Sequence, residues 1–215
     1  MYSYEIKEMC IFENHACLGG FLRIGGIDEA GRGALAGPVV AACVILDEGK
    51  IPSGIVDSKK ISDRKRRELY GKIVESALSI GVGVVESEVI DRVNIYNATK
   101  MAMKSAVERM KVKPDFLLID ALKLNDISIS TLSIIKGEEK SVSIAAASIV
   151  AKVCRDDIMI SLSTRYPQYR FDLHKGYGTL LHNEKLIKFG PSKVHRYSYK
   201  PVAIVRDIWK LKEQR

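Results

Sequence analysis

The sequence predicts an α/β domain. Short apolar runs of strand length alternate with longer segments of helical period. The 215 residues are 47% hydrophobic and can bury a full core. No internal repeat, low-complexity tract or linker divides the chain, so one domain of ordinary size with a small appendage is expected.

The elements follow in order. Ile6, Met9, Cys10 and Phe12 recur at roughly helical spacing and predict one short N-terminal helix, which leads through Gly19-Gly20 into a strand over 22–27. The run 39–46 is apolar throughout and reads as a buried strand, and the glycines between the two mark a tight connection. After a loop over 49–54, Ser62 is placed to cap a helix in which Leu69, Ile73, Val74 and Ala77 form one stripe. Lys65, Arg66 and Arg67 then fall on a solvated basic face. Residues 79–86 alternate as a strand does, and Ile95, Ala98, Met101, Ala102, Val107 and Met110 give a helix from Asn94 that Pro114 closes. Residues 115–120 form a short apolar run ending in an acid, the pattern of a central strand, and a further strand is expected over 131–136. The helix predicted over 141–159 is apolar nearly all round from Ile144 to Ala151, so most of its surface packs on the sheet. Pro201 opens a basic helix whose stripe of Val202, Val205, Ile208 and Trp209 packs onto the body.

Charge and cysteine usage narrow the setting. Thirty-four Lys and Arg against 26 Asp and Glu give a net charge of +8, which suits a polyanion such as nucleic acid as well as a merely basic soluble protein. Cys10, Cys17, Cys43 and Cys154 form no C-x-x-C pair, and a reducing, cytoplasmic location fits them. No basic segment precedes a long apolar run, and no stretch reaches the ~18 apolar residues that span a bilayer, so secretion and membrane association are not expected.

Asp28, Glu29, Asp120 and one of Glu138 or Glu139 come from separate strand ends or the loops after them, where a single sheet can gather them. Solvated turns are the alternative. Adjacent strand residues face opposite sides, so Asp28 and Glu29 share a ligand only if the chain bends, as Gly31-Arg32-Gly33 permits. Ionised carboxylates at close range repel, so their pKa values rise or divalent cations neutralise them. All-oxygen ligation selects Mg²⁺ or Mn²⁺ over zinc. Two such ions ~4 Å apart can activate water and stabilise the leaving oxygen in phosphodiester hydrolysis. Lys59 and Lys60 on their loop, and Ser148 with Lys152 on one helix face, read either as phosphate contacts or as solvated edges. Tyr177, held between glycines on a basic loop, reads as a stacking platform for base or sugar, or as a structural tyrosine. His174, His182 and His195 lack the spacing of a transition-metal site and read as surface or cap residues.

The motifs Gly26-Ile27-Asp28-Glu29-Ala30-Gly31-Arg32-Gly33, Ala36-Gly37-Pro38-Val39-Val40, Asp57-Ser58-Lys59-Lys60, Leu118-Ile119-Asp120, Lys136-Gly137-Glu138, Ala146-Ala147-Ser148-Ile149-Val150-Ala151-Lys152-Val153 with Arg155-Asp156, and His174-Lys175-Gly176-Tyr177-Gly178-Thr179 together resemble the ribonuclease HII family, from about residue 24 to 202. The resemblance implies a ribonuclease H-like α/β fold, with a mixed five-stranded sheet flanked by helices and a small C-terminal helical lobe. Residues 1–22 would form an N-terminal helical extension, 23–165 the catalytic core, and 166–215 the lobe of the same domain. It further implies an endoribonuclease that cuts RNA in RNA/DNA hybrids, and cuts 5′ of single ribonucleotides in duplex DNA, leaving 3′-hydroxyl and 5′-phosphate ends. Such an enzyme would serve DNA replication and ribonucleotide excision repair, and a monomer is expected.

Asp28, Glu29 and Asp120 match three of the family's four metal-binding acids, and Glu138 stands where the family usually has Asp. Gly31, Arg32 and Gly33 match the segment whose backbone reads the ribose 2′-hydroxyl. Tyr177 matches a tyrosine that stacks on the neighbouring deoxyribose, and Lys59, Lys60, Ser148 and Lys152 match phosphate contacts. Ala34 replaces a common proline, with little effect expected. The short segment before Ile24 argues against the sister ribonuclease HIII, which carries an added N-terminal domain. Residues 202–214 contain no recognised clamp-binding peptide. The alternatives are a non-catalytic nucleic-acid binder and a ribonuclease H-like ATPase or resolvase. The last lacks a phosphate-cradling P-loop.

Overall fold

The structure is a computed structural model that describes residues 4–55 and 61–213. Lys59 and Lys60, expected at phosphate, lie outside the described residues. The chain divides into two compact units. The first comprises Met1–Ala30, Val40–Val84 and Lys100–Val153, and the second Gly31–Val39, Val85–Thr99 and Cys154–Arg215.

The first unit is built on a five-stranded sheet of order β3-β2-β1-β4-β5, formed by β1 (Ile24–Ala30), β2 (Val39–Leu46), β3 (Ala77–Val85), β4 (Phe116–Asp120) and β5 (Ser130–Ile134). β1 pairs antiparallel with β2 and parallel with β4, and β4 pairs parallel with β5, so the sheet is mixed. Every residue of β2 is buried, as its unbroken apolar run requires. β1 runs three residues beyond the strand predicted over 22–27, because Asp28, Glu29 and Ala30 continue the ladder opposite Ala42, Ala41 and Val40. The two acids are therefore strand residues, not residues of the turn that follows.

Glycine decides how closely the sheet is covered. A Cβ on Gly26 would lie 2.0 Å from the Ser143 carbonyl carbon, so only glycine lets the first turn of α5 (Val142–Arg165) rest on the β1 backbone. Instead of one N-terminal helix there are two, α1 (Tyr4–Met9) and α2 (Ile11–Leu18), with Cys10 outside helical geometry between them. Phe12 and Ala16 of α2 pack with Ile24, Leu118, Ile134 and Ile144. Ser62 caps α3 (Asp63–Ser76) as predicted, accepting from the Lys65 amide at 3.3 Å. α4 (Ser87–Glu108) breaks at Asn94, where φ is +67°, and the Asn94 side chain caps the second half by accepting from the Asn97 amide at 3.0 Å.

The second unit holds α6 (Phe171–His174), α7 (Leu180–Phe189) and α8 (Lys200–Glu213). The apolar stripe of α8 supplies Val202, Val205 and Trp209 to a cluster with Leu35 and Leu186. His174, His182 and His195, read from sequence as surface or cap residues, are instead buried at 8%, 0% and 1% exposure. Spacing carried no sign of this, because the three rings meet only when the loops of the last third close over Tyr169 and Phe171. Their hydrogen bonds form a chain of neutral rings. The Ser192 amide donates to His195 Nδ1 at 3.0 Å, His195 Nε2 meets His182 Nε2 at 3.1 Å, and His182 Nδ1 reaches the Tyr177 carbonyl at 2.9 Å. One tautomer per ring satisfies all three contacts, with His195 donating to His182 and His182 donating to Tyr177.

Two predictions follow from this packing. Gly26→Ala forces α5 off the strand and lowers unfolding stability by about 2–3 kcal/mol, read by denaturant titration. Burial first, and then the neighbouring ring, lowers His182 from 6.5 to about 4; burial, and then His182, lowers His195 to about 3. The unfolded chain thus takes up protons below pH 6.5 that the folded chain refuses until about pH 4 and below. Stability is complete above about pH 6.5 and drains away as pH falls, by about 1.4 kcal/mol per ring at pH 5.5. A melting series between pH 7.5 and 4.5 checks this, and a flat profile would contradict it.

Candidate active site

In the first unit, four acids occupy neighbouring chain ends of the sheet. Asp28 and Glu29 come from β1, and Asp120 is the last residue of its parallel neighbour β4. The Gly137 amide donates to Asp120 Oδ1 at 2.6 Å, and this bond ties the turn Gly137–Glu139 to the end of β4. Within that turn Glu138 is buried at 6% exposure and Glu139 is exposed, so Glu138 is the acid on the inner side. The sequence had left the two open.

The electrostatics record the crowding. Asp28 is buried, and its carboxyl is raised well above the ordinary Asp value. Burial is the largest cause and the charge of Glu29 the next, with Asp120 adding to it. Two hydrogen bonds oppose the shift. The Glu29 amide donates to Asp28 Oδ1 at 2.7 Å, and the Ser148 hydroxyl of α5 bonds the same carboxylate. Ser148, expected at phosphate, therefore orients Asp28 in this structure, while Lys152, one turn further along α5, is half-buried. Among the described residues, no three His, Cys, Asp or Glu side chains stand in ligating geometry. A set of oxygen donors that repel one another nevertheless fits a hard divalent cation and little else.

The second unit contains the loop 31–38 and shows what the sequence reading missed. Gly31 has φ +94°, and a Cβ there would lie 1.9 Å from Arg155 Nε, so both backbone and space demand glycine. Arg155 and Arg196 are fully buried. Arg155 donates to the carbonyls of Pro38 at 3.0 Å, Ala36 at 3.2 Å and Lys175 at 3.0 Å. Arg196 donates to those of Gly37 at 3.0 Å, Pro38 at 3.1 Å and Arg32 at 2.8 Å. The Tyr199 hydroxyl adds a 2.6 Å bond to the Arg32 carbonyl. A planar five-donor fork can hold three carbonyls at once, which a lysine cannot. The chain between the two guanidiniums is thus fixed, and the Arg32 and Gly33 side of the loop is left exposed. Tyr177 belongs to the same arrangement: its half-buried ring lies 5.1 Å from the Arg155 guanidinium carbon, and its carbonyl ends the histidine chain. Arg155 sat at the polar end of an apolar helix and Arg196 in a basic tail. Neither pattern distinguishes a buried clamp from a solvated charge.

The family model described as Ribonuclease HII matches residues 25–202. The chain is 53% identical over 192 residues to the ribonuclease HII of Acetivibrio thermocellus, covering 89% of this chain and 75% of that one. Ribonuclease H2 from Pyrococcus horikoshii OT3 superposes with a TM-score of 0.75 at 22% identity, over 88% of this chain and 99% of the other. Bst-RNase HIII in complex with Mn²⁺ does so with a TM-score of 0.69 at 22% identity, over 88% and 71%. The mixed sheet flanked by helices is accordingly the ribonuclease H-like fold.

Arg196→Lys keeps the charge and loses the fork, leaving buried carbonyls without donors. Stability should fall by on the order of 3 kcal/mol. Denaturant titration reads the loss, and a change within 0.5 kcal/mol, typical of a surface site, would contradict the clamp.

Proposed function

This chain belongs to the ribonuclease HII family of endoribonucleases, which act on the RNA of RNA/DNA hybrids, and from that premise we propose that it also cuts 5′ of single ribonucleotides embedded in duplex DNA, by two-metal-ion hydrolysis. The products are 3′-hydroxyl and 5′-phosphate ends. The observation that carries the reading is the meeting of carboxylates where β1 and β4 lie side by side, with the Asp28 carboxyl raised first by burial and then by the charges of Glu29 and Asp120. Such a cluster is relieved by divalent cations.

Asp28, Glu29, Asp120 and Glu138 would hold Mg²⁺ or Mn²⁺. When bound, the ions neutralise the acids, lower the pKa of a water and stabilise the oxygen that leaves phosphorus. The chain's own groups set the stage for that reaction. Ser148 and the Glu29 amide keep the Asp28 carboxylate in one orientation, and the Gly137 amide does the same for Asp120. The backbone of Gly31, Arg32 and Gly33 reads the ribose 2′-hydroxyl, and Tyr177 stacks on the neighbouring deoxyribose. Lys59, Lys60 and Lys152 meet phosphates, in keeping with the net charge of +8. Glu138 does the work of the family's usual Asp. The setting we assign is a cytoplasmic monomer that clears ribonucleotides from replicated DNA.

Asp28→Asn and Asp120→Asn should each lower hybrid cleavage by about a thousandfold or more, since each removes a ligand of the reacting centre. Hybrid affinity should stay within a few-fold, because the basic contacts remain. Gel cleavage and filter binding of one labelled RNA/DNA hybrid measure the two quantities side by side. Turnover retained in either variant would overturn the site. Glu138→Asp should keep activity and Glu138→Gln should lose it, whereas Glu139→Gln should do nothing.

A further inference from the structure

The N-terminal helices stand outside the acidic cluster, yet one of their side chains reaches the element that supports it. Glu13 lies in the first turn of α2 and is 8% exposed. α2 is itself held in place, since Phe12 and Ala16 pack with Ile24, Leu118, Ile134 and Ile144. From that base the Glu13 carboxylate takes the donors at the start of α5. The Ser141 hydroxyl donates to Oε1 at 2.6 Å, the Ser143 amide donates to the same oxygen at 3.0 Å, and the Ser143 hydroxyl also bonds the carboxylate. A carboxylate at the head of a 24-residue helix answers both its first amides and its dipole.

Ser141 joins two parts of the acidic cluster. Its amide donates to the Gly137 carbonyl at 2.8 Å and closes the turn that carries Glu138. Its hydroxyl accepts from the Ile144 amide at 3.2 Å and so caps α5. Two turns further along α5, Ser148 bonds the Asp28 carboxylate. Ser143 lies against β1 at Gly26, two residues before Asp28. The Glu138 turn and the serine that orients Asp28 therefore take their places from one short stretch, 141–143, which Glu13 grips from outside the cluster.

We propose that Glu13 is a positioning residue for the hydrolysis: by fixing the junction 141–143 it sets where Glu138 and Ser148 stand against Asp28, and through them how tightly the acids hold a divalent cation. The inference rests on the metal site proposed above. Groups that orient ligands without touching the metal change its affinity or the activity by about 10–100-fold when lost, because ligands displaced by as little as ~1 Å no longer close on the ion together. The grip on the hybrid comes from other groups, so Glu13 acts on the metal and on turnover and leaves KM alone.

Calorimetric titration of the full-length protein with Mn²⁺, without nucleic acid, reads the affinity, and steady-state cleavage of an RNA/DNA hybrid separates kcat from KM. Glu13→Ala should weaken Mn²⁺ binding by about tenfold or more and lower kcat, with KM for the hybrid unchanged. Glu13→Gln keeps an acceptor oxygen for Ser141 and Ser143 and should restore most of the affinity. A merely structural Glu13 would lower the melting temperature of the metal-free protein and leave the Mn²⁺ affinity of the folded protein untouched. Should Glu13→Ala fail to fold, Glu13→Asp, which withdraws the carboxylate by one methylene and keeps its charge, decides the matter by the same loss of affinity. Asp28→Asn in the same titration tests the site itself: if it binds Mn²⁺ as the wild type does, the metal site falls and the proposal with it. Weakened binding in Asp28→Asn beside unchanged binding in the Glu13 variants, a loss confined to KM, or Glu13→Gln no better than Glu13→Ala would overturn the proposal alone.

Discussion

Two buried guanidiniums, held by backbone carbonyls, are the constraint on which the second unit depends. A loop of eight residues with three glycines and one proline has little of its own to keep it in one shape, and ordering it costs roughly 1–2 kcal/mol of entropy per residue. Arg155 and Arg196 meet that cost by turning four of its carbonyls, together with that of Lys175, inward onto charged donors. The arrangement also solves the problem of the charges themselves. A buried guanidinium is tolerable only if its hydrogens are taken, and here carbonyl dipoles take them in place of a carboxylate. The hydroxyl reading proposed for this loop would need such rigidity, because amides and carbonyls can discriminate a hydroxyl only if they stand still.

The acids of the first unit rest on a different device, the strand itself. Placing Asp28 and Glu29 inside β1 fixes their backbones in the ladder with β2, so their repulsion cannot be relieved by moving the chain. The raised Asp28 carboxyl records its burial first and this repulsion second. Asp120 is tied to the turn that carries Glu138 by a single amide, and a longer side chain at 138 reaches from a buried position.

Much of this was legible in the sequence, for reasons that differ by element. The buried strand Val39–Leu46 and the apolar first half of α5 announced themselves by composition, since residues packed on all sides have no polar face to conceal. Ser62 was readable as a cap because its chemistry is local. The acids were readable because carboxylates at strand ends are out of place without a partner. What escaped was non-local. The extent of β1 depended on its neighbours, Cys10 broke a helix that periodicity had joined, and the histidines looked solvated until α6, α7 and the loop after α7 brought them together. Arg155 and Arg196 escaped for the same reason: their carbonyl partners lie up to 164 positions away in sequence.

The central claim is that a metal-dependent acidic cluster and a rigid glycine loop together make the 2′-hydroxyl the condition for cleavage. The most direct measurement uses a labelled DNA duplex containing one ribonucleotide, beside an otherwise identical all-DNA duplex, each with Mg²⁺, with Mn²⁺ and with chelator. The account predicts one cut immediately 5′ of the ribonucleotide, present with metal, abolished by chelator and missing from the all-DNA control. A cut in the all-DNA duplex, a cut that survives the chelator, or binding of the ribonucleotide duplex without a cut under either metal would contradict it.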